Sequence, residues 1–144
     1  MVDTTFQGSK EKTARAVGVN LQISRKASYE IANAIRGKTT TAAISFLEDV
    51  ALKHVPVPYK RFNHKVGHKR GMAAGRYPVN AAKKFLYLIR AAEKNAQDKG
   101  LITDTLQIVH VAAQQGEGQW RHGRQRRRQM KATHVEVVVQ EVTQ

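Results

Sequence analysis

Cysteine is absent from the 144 residues. That excludes a disulfide framework, a thiolate nucleophile and a cysteine-based zinc site, and it leaves the redox compartment open. Acids are scarce: 11 Asp and Glu stand against 25 Lys and Arg, for a formal net charge of +14 and a pI near 10.5. A surplus of that size opposes self-packing and favours a polyanionic partner, most often nucleic acid. No run of about 18 apolar residues occurs, which excludes a membrane-spanning helix. The N-terminus, MVDTTFQGSKEK, is polar and lacks the apolar stretch of a signal peptide.

Catalytic signatures are missing too. There is no nucleophile-elbow sequence, and no motif places an acid beside a Ser and a His. Gly67, Gly71 and Gly75 suggest a Gly-rich phosphate loop, but Gly75 is followed by Arg-Tyr-Pro and not by the Lys-Ser/Thr that a P-loop requires. His64 and His68 are four apart, a spacing that suits a metal on a helix. They lie among cations with no Asp, Glu or Cys nearby, and such surroundings repel a metal ion. The expectation is a non-enzyme without metal or cofactor. Zinc-finger spacing, a basic-zipper heptad and a convincing helix-turn-helix are also absent.

What is present is strongly segregated. Between Val50 and Ala92 there is no acid, against ten basic residues. A second acid-free stretch, Gln119–His134 (QWRHGRQRRRQMKATH), holds six more cations, so the two carry 16 of the 25 positive charges. Burying that second stretch without counter-charges would cost more than its few apolar groups could regain. Arg presents a planar donor fork to phosphates and stacks on bases, as does Trp. Trp120 therefore reads as a stacking or wedging group, with the core as the competing place for it. Tyr59, Phe62 and Tyr77 interleave with Lys60, Arg61 and Arg76, a mixture that fits unstacked bases beside phosphates. The same aromatics would equally serve to anchor the segment to the body.

The periodicities predict one domain over residues 1–144, with a flexible tail over 1–13 and an extended hairpin tip over 114–132. From Ala16 to Ile23 the pattern alternates, which predicts a half-buried strand with Val17, Val19, Leu21 and Ile23 inward. Ser24 fits an N-cap; Ala27, Ile31, Ala34 and Ile35 follow at helical spacing, and Gly37 stops the helix. A second helix begins near Thr39–Thr41, carries Ala43, Ile44, Leu47, Val50 and Ala51 on one stripe, and ends before Pro56. Residues 56–77 show no sustained periodicity and read as a long loop, of a length uncommon unless functional. Pro78 opens a third helix with Val79, Ala82, Phe85, Leu86, Ile89, Ala92 and Ala96 in phase, and Gly100 fits its end. Strands follow at about Leu106–Ala113 and Thr133–Val142. The predicted class is α+β: a three-stranded antiparallel sheet packed against three helices, with a long protruding β-hairpin. If both hairpin strands stay paired, the arm projects roughly 30 Å, at about 3.3 Å per residue.

Several segments carry a family resemblance: LQIS at Leu21–Ser24, AIRGK at Ala34–Lys38, PVPYKRFNHKVGHK at Pro56–Lys69, GRYPVNAA at Gly75–Ala82, NAQDKGL at Asn95–Leu101, IVHVAA at Ile108–Ala113 and THVEVVVQE at Thr133–Glu141. In order and spacing they resemble the universal large-subunit ribosomal protein family numbered twenty-two (seventeen in older eukaryotic naming). The long 56–77 loop is like that of its archaeal and eukaryotic branch. The resemblance implies a cytoplasmic, ribosome-bound structural protein that contacts large-subunit ribosomal RNA near the peptide exit tunnel. It further implies a hairpin tip in the tunnel wall, where a nascent peptide passes, a part in subunit assembly, and neighbouring ribosomal proteins as partners. Carried over, Lys60, Arg61, Asn63, His64, Lys65, His68, Lys69 and Arg76 would contact the RNA from the loop. Trp120, Arg121, Arg124, Arg126, Arg127, Arg128 and Lys131 would do so from the hairpin. The tip departs from the family's usual Pro-Arg-Ala-x-Gly-Arg type of sequence; only Gly123-Arg124 matches. An architectural DNA- or RNA-binding protein outside the ribosome is the alternative reading, and a scaffold for protein partners comes third.

Overall fold

Segments far apart in the chain meet in one sheet. The computed structural model describes residues 5–8 and 12–142. The elements are β1 (Thr13–Leu21), α1 (Arg25–Ile35), α2 (Thr40–Ala51), β2 (Val57–Pro58), β3 (Gly75–Arg76), α3 (Val79–Asp98), β4 (Leu106–Gln115) and β5 (Thr133–Glu141). Strand β5 lies between β1 and β4 and is antiparallel to both. Helix α1 packs on β4 and β5, α3 on β1 and β5, and α2 on α3. The chain is thus α+β, with three helices and a three-stranded antiparallel sheet.

The register explains which side chains form the core. On the helix-covered face Val135, Val137 and Val139 of β5 stand between Gly18, Ala16 and Ala14 of β1 and Ala113, Val111 and Ile108 of β4. This corrects half of the inward set expected for β1: Ile23 is buried and Leu21 packs against the core, but Val17 and Val19 do not point inward. The buried residues of β1 are Thr13, Ala14, Ala16 and Gly18, while Val17 is only half-buried and Val19 is 53% exposed. The reason is the closeness of α3. Its Asn95 side chain donates to the Arg15 carbonyl at 2.8 Å, and its C-cap Lys99 donates to the Thr13 carbonyl at 2.8 Å. A Cβ on Gly18 would come within 2.7 Å of Leu21 Cδ1 and 3.2 Å of Leu88 Cδ1. Small residues must therefore face the helix, and the valines take the other side. An irregularity after Gly18, with Asn20 at φ 49°, ends the alternation.

The helix ends follow local chemistry. Thr39 caps α2 by accepting the Ala42 N–H at 3.4 Å, whereas Ser24 stands at the cap of α1 without a side-chain cap bond. At the end of α3, Gly100 (φ 74°) donates to the Gln97 carbonyl at 2.8 Å and Leu101 to that of Ala96 at 3.0 Å. This is the paired closure that favours glycine at a left-handed position. The turn after α1 covers the open edge of β4: Gly37 donates to Ile108 and Ile108 to Lys38, each at 2.9 Å.

The tail expected over residues 1–13 lies partly outside the described residues. Thr13 already belongs to β1, about three residues earlier than the alternation indicated. Thr5 donates its N–H and its hydroxyl to Glu136 Oε2 at 3.0 and 2.9 Å, and the Phe6 ring lies 5.7 Å from that of His110. These residues sit on the sheet face away from the helices, where Val138 and Glu136 are buried.

Candidate nucleic-acid interface

The basic segment 56–77 is not the unstructured loop that its lack of periodicity suggests. Val57–Pro58 and Gly75–Arg76 form a two-stranded ladder, extended by the Tyr59 N–H on the Ala74 carbonyl at 2.9 Å. At the far end Met72 donates to Lys69 at 3.1 Å, closing a turn that holds Gly71 at φ 78°.

One carboxylate organises the near end. Glu30, on α1 and 1% exposed, accepts the backbone N–H groups of Lys60, Arg61 and Phe62 at 3.1, 2.9 and 2.8 Å. A buried charge is tolerable when several donors meet it, and three backbone amides do so here. With the backbone turned inward at these residues, Lys60 and Arg61 stand in solvent. Glu30 escaped the sequence reading, although a signal existed. It lies three residues after Ala27 and four before Ala34, on the apolar stripe of its helix, where an acid needs buried partners.

The loop aromatics anchor more than they display. Tyr59 is buried, and Phe62 packs against the core with its ring edge-on to Tyr29 (5.5 Å, 84°). Burial raises the Tyr59 phenol above its usual value, against the opposing pull of the Arg76 charge. Arg61 lies over the Tyr29 ring at 5.2 Å and donates to its hydroxyl at 3.4 Å; that hydrogen bond, with one from Asn33, lowers the Tyr29 pKa. Lys69 lies 5.4 Å from the Tyr77 ring centre.

The arm continues the β4–β5 ladder beyond Gln115 and Thr133. Gly116 donates to Ala132 at 3.0 Å, Met130 to Gln119 at 2.8 Å, and Arg121 to Arg128 at 2.8 Å. A single turn of 3-10 helix, Gly123–Gln125, and Arg127 at φ 69° form the tip. The root needs glycine: a Cβ on Gly118 would collide with the Met130 carbonyl oxygen. Asn20, at the end of β1, ties down the root by accepting the Glu117 N–H at 3.2 Å.

The residues singled out in the sequence fall into two exposed sets. Lys60, Arg61, Asn63, His64, Lys65, His68 and Arg76 are exposed on the loop, with Lys69 half-buried; Arg121, Arg124, Arg126, Arg127, Arg128 and Lys131 are exposed on the arm. Trp120 is 63% exposed on the arm, which places it outside the core. His64 and His68 sit on irregular backbone and share no helix face. Among the described residues, no Lys or Arg of loop or arm takes part in an ion pair; Arg90 pairs with Glu48 at 2.7 Å, on other elements.

Loop and arm root converge on a cleft of about 800 Å³. The loop contributes Phe62, His64 and Val66, the arm root Gly116, Met130 and Lys131. Its third wall is the first turn of α1, with Arg25 and Lys26, which the sequence reading did not select. Charge density marks loop and arm, but the place of two cations at a helix start depends on where that helix points.

A basic surface of this kind, on which Glu117 at the arm root is an exposed acid, can engage phosphates and bases. Comparison with known proteins agrees with the fold. The family model "Ribosomal protein L22p/L17e" matches residues 16–140. The large ribosomal subunit protein uL22 of Ignicoccus hospitalis is 44% identical over 143 residues, covering 92% of this chain and 90% of that protein. Its counterpart in Methanocaldococcus jannaschii is 41% identical over 144 residues, covering 94% and 92%. That of Staphylothermus marinus is 41% identical over 144 residues, covering 92% of each. With its fold, its hairpin and these relatives in agreement, the chain belongs to the L22p/L17e family of large-subunit ribosomal proteins, which are structural proteins and not enzymes.

Proposed function

We propose that this protein binds large-subunit ribosomal RNA through its loop and its arm together. The body docks by the loop, and the arm threads between RNA segments to the peptide exit tunnel. There its tip contributes to the wall beside the nascent peptide. Neighbouring ribosomal proteins adjoin the body, and the ordering of RNA around the arm assists subunit assembly. The observation that carries the reading is the pair of cationic surfaces without internal ion pairs. Their charges are left for an external polyanion, and phosphates supply it. A hairpin tip with many cations and few apolar groups is steadied by such a partner.

The test is binding of the isolated protein to a structured fragment of large-subunit ribosomal RNA at two salt concentrations. With about six phosphate contacts, affinity falls roughly a thousandfold between 50 and 200 mM salt. Salt-independent binding overturns the phosphate mechanism. A strong preference for duplex DNA of equal length favours an architectural protein instead.

A further inference from the structure

We infer that the cleft between loop and arm root is a receptor for a single unstacked RNA nucleotide. This rests on the ribosomal-RNA reading and deepens it, because it names what one part of the interface takes in. Two properties of the cleft point there. Among the described residues its lining contains Arg25, Lys26, Arg76 and Lys131 and no acid, so it draws an anion and repels a metal ion. It also presents Phe62, Tyr77, Val66 and Met130, surfaces that suit a flat ring. A phosphate alone has no use for the second set, and a saturated acyl chain has none for the first. A nucleotide carries both chemistries in one small body.

The electrostatics near Phe62 support this. Arg25, Lys26 and Arg61 stand 6.0, 5.8 and 5.7 Å from its ring centre. The nearby carboxylate, Glu30, is already committed to three backbone amides. Arg25 and Lys26, which line the cleft, are thus like charges beside one ring, and among the described residues neither takes part in an ion pair. A bound phosphate would relieve that repulsion while its base lies against the apolar wall. The size agrees: about 800 Å³ falls in the range of roughly 300–1,000 Å³ typical of sites for small organic ligands. A paired duplex is too broad to enter. RNA does offer such bases where a loop or bulge leaves them unstacked, and aromatic and Arg surfaces are what recognise them.

The experiment follows backbone amide shifts of the full chain at about 0.1 M salt, an ionic strength at which the Debye length is about 10 Å. The probe is a single-stranded RNA tetranucleotide, compared with the same tetramer bearing abasic riboses and with an acidic hexapeptide. The tetramer is expected to move the amides of Lys26, Val66, Gly116 and Met130. Removing the bases weakens binding about tenfold, as the loss of one stacked base implies. Met130→Glu weakens it at least as much. That substitution leaves the arm paired, because Met130 pairs through its backbone. Equal affinity for the abasic tetramer overturns the proposal, as do shifts confined to Arg121–Arg128. Tighter occupancy of the cleft by the acidic peptide overturns it in favour of a protein partner. Salt-dependent binding of the structured ribosomal RNA fragment is measured on the same sample. If that binding persists while the cleft does not respond, only the nucleotide receptor falls; if it fails as well, the wider reading falls with it.

Discussion

The carboxylate of Glu30 accepts the backbone N–H of Arg61 at 2.9 Å, so one of the chain's few acids fastens a basic loop to the body. The same group holds the amides of Lys60 and Phe62. A negative charge here serves a positive surface, because it fixes the backbone from which the cations project. Replacing it by Ala makes the protein one unit more positive and strands three donors. Glu30→Ala is expected to lower unfolding free energy by about 3 kcal/mol, on the scale of lost charge-assisted hydrogen bonds. It is also expected to weaken ribosomal RNA binding. Glu30→Gln keeps one acceptor oxygen and should lose about half as much. Urea unfolding and filter binding check both; tighter RNA binding by the Ala variant would show that net charge alone governs affinity.

Loop and arm are expected to act at different stages. Exchanging Lys60, Arg61, Lys65 and Lys69 together for Ala removes cations from the element fastened to the body, and should reduce occupancy of the protein in purified large subunits. Deleting Glu117–Lys131 and closing with a short turn keeps the β4–β5 pairing up to Gln115 and Thr133. That variant should still incorporate and should instead disturb late assembly, visible in polysome profiles. The reverse outcome would make the Arg-rich tip the main anchor.

The packing phase of β1 can be tested with two neighbouring positions. Gly18→Val places methyl groups against Leu21 and Leu88 and is expected to cost about 1–3 kcal/mol, as overpacking does. Val19→Thr, on the exposed side, should stay within about 0.5 kcal/mol of the parent. A larger loss at position 19 than at 18 would mean that the strand is turned over.

Alkaline pH separates two tyrosines. Burial raises the Tyr59 pKa above 10.0, so the fold prefers its neutral phenol. The stability this contributes is complete below the unfolded value near 10 and is lost as pH rises through the higher folded value. Tyr29 has the opposite sign: the hydrogen bond from Arg61 lowers its pKa from 10.0, so its contribution is present above that value and lost as pH falls through the lower folded one. Tyr59→Phe should therefore flatten the alkaline fall in stability, and Tyr29→Phe should steepen it. Denaturation midpoints across this range, with phenolate absorbance on each variant, provide the check.

Much of this molecule was legible residue by residue. Helix α3 announced itself through its apolar stripe, with Pro78 before it and Gly100 after it, because helical packing and chain reversal are decided within a few positions. In β5, Val135, Val137 and Val139 alternate with Glu136, Val138 and Gln140, a two-residue period that is likewise local. The cations of loop and arm were visible as candidates from their surroundings alone, since an acid-free run of Arg and Lys has nowhere to go but solvent or a polyanion.

Other features had no local signal. Val17 and Val19 looked inward-facing because they are larger and more apolar than Ala14, Ala16 and Gly18. The closeness of α3, more than 60 positions further along, reversed that choice. The 56–77 segment looked shapeless because its order comes from Glu30 on another element and not from its own periodicity. The sequence by itself determined the three helices, the three strands of the main sheet, the helix ends at Thr39 and Gly100 and the sign of the surface, all set by propensity, periodicity and charge over short spans. Tertiary structure alone decided which face of β1 is buried, what holds the basic loop, and that Arg25 and Lys26 join loop and arm root around one cleft. Those depend on distances between segments that touch only after the chain has folded.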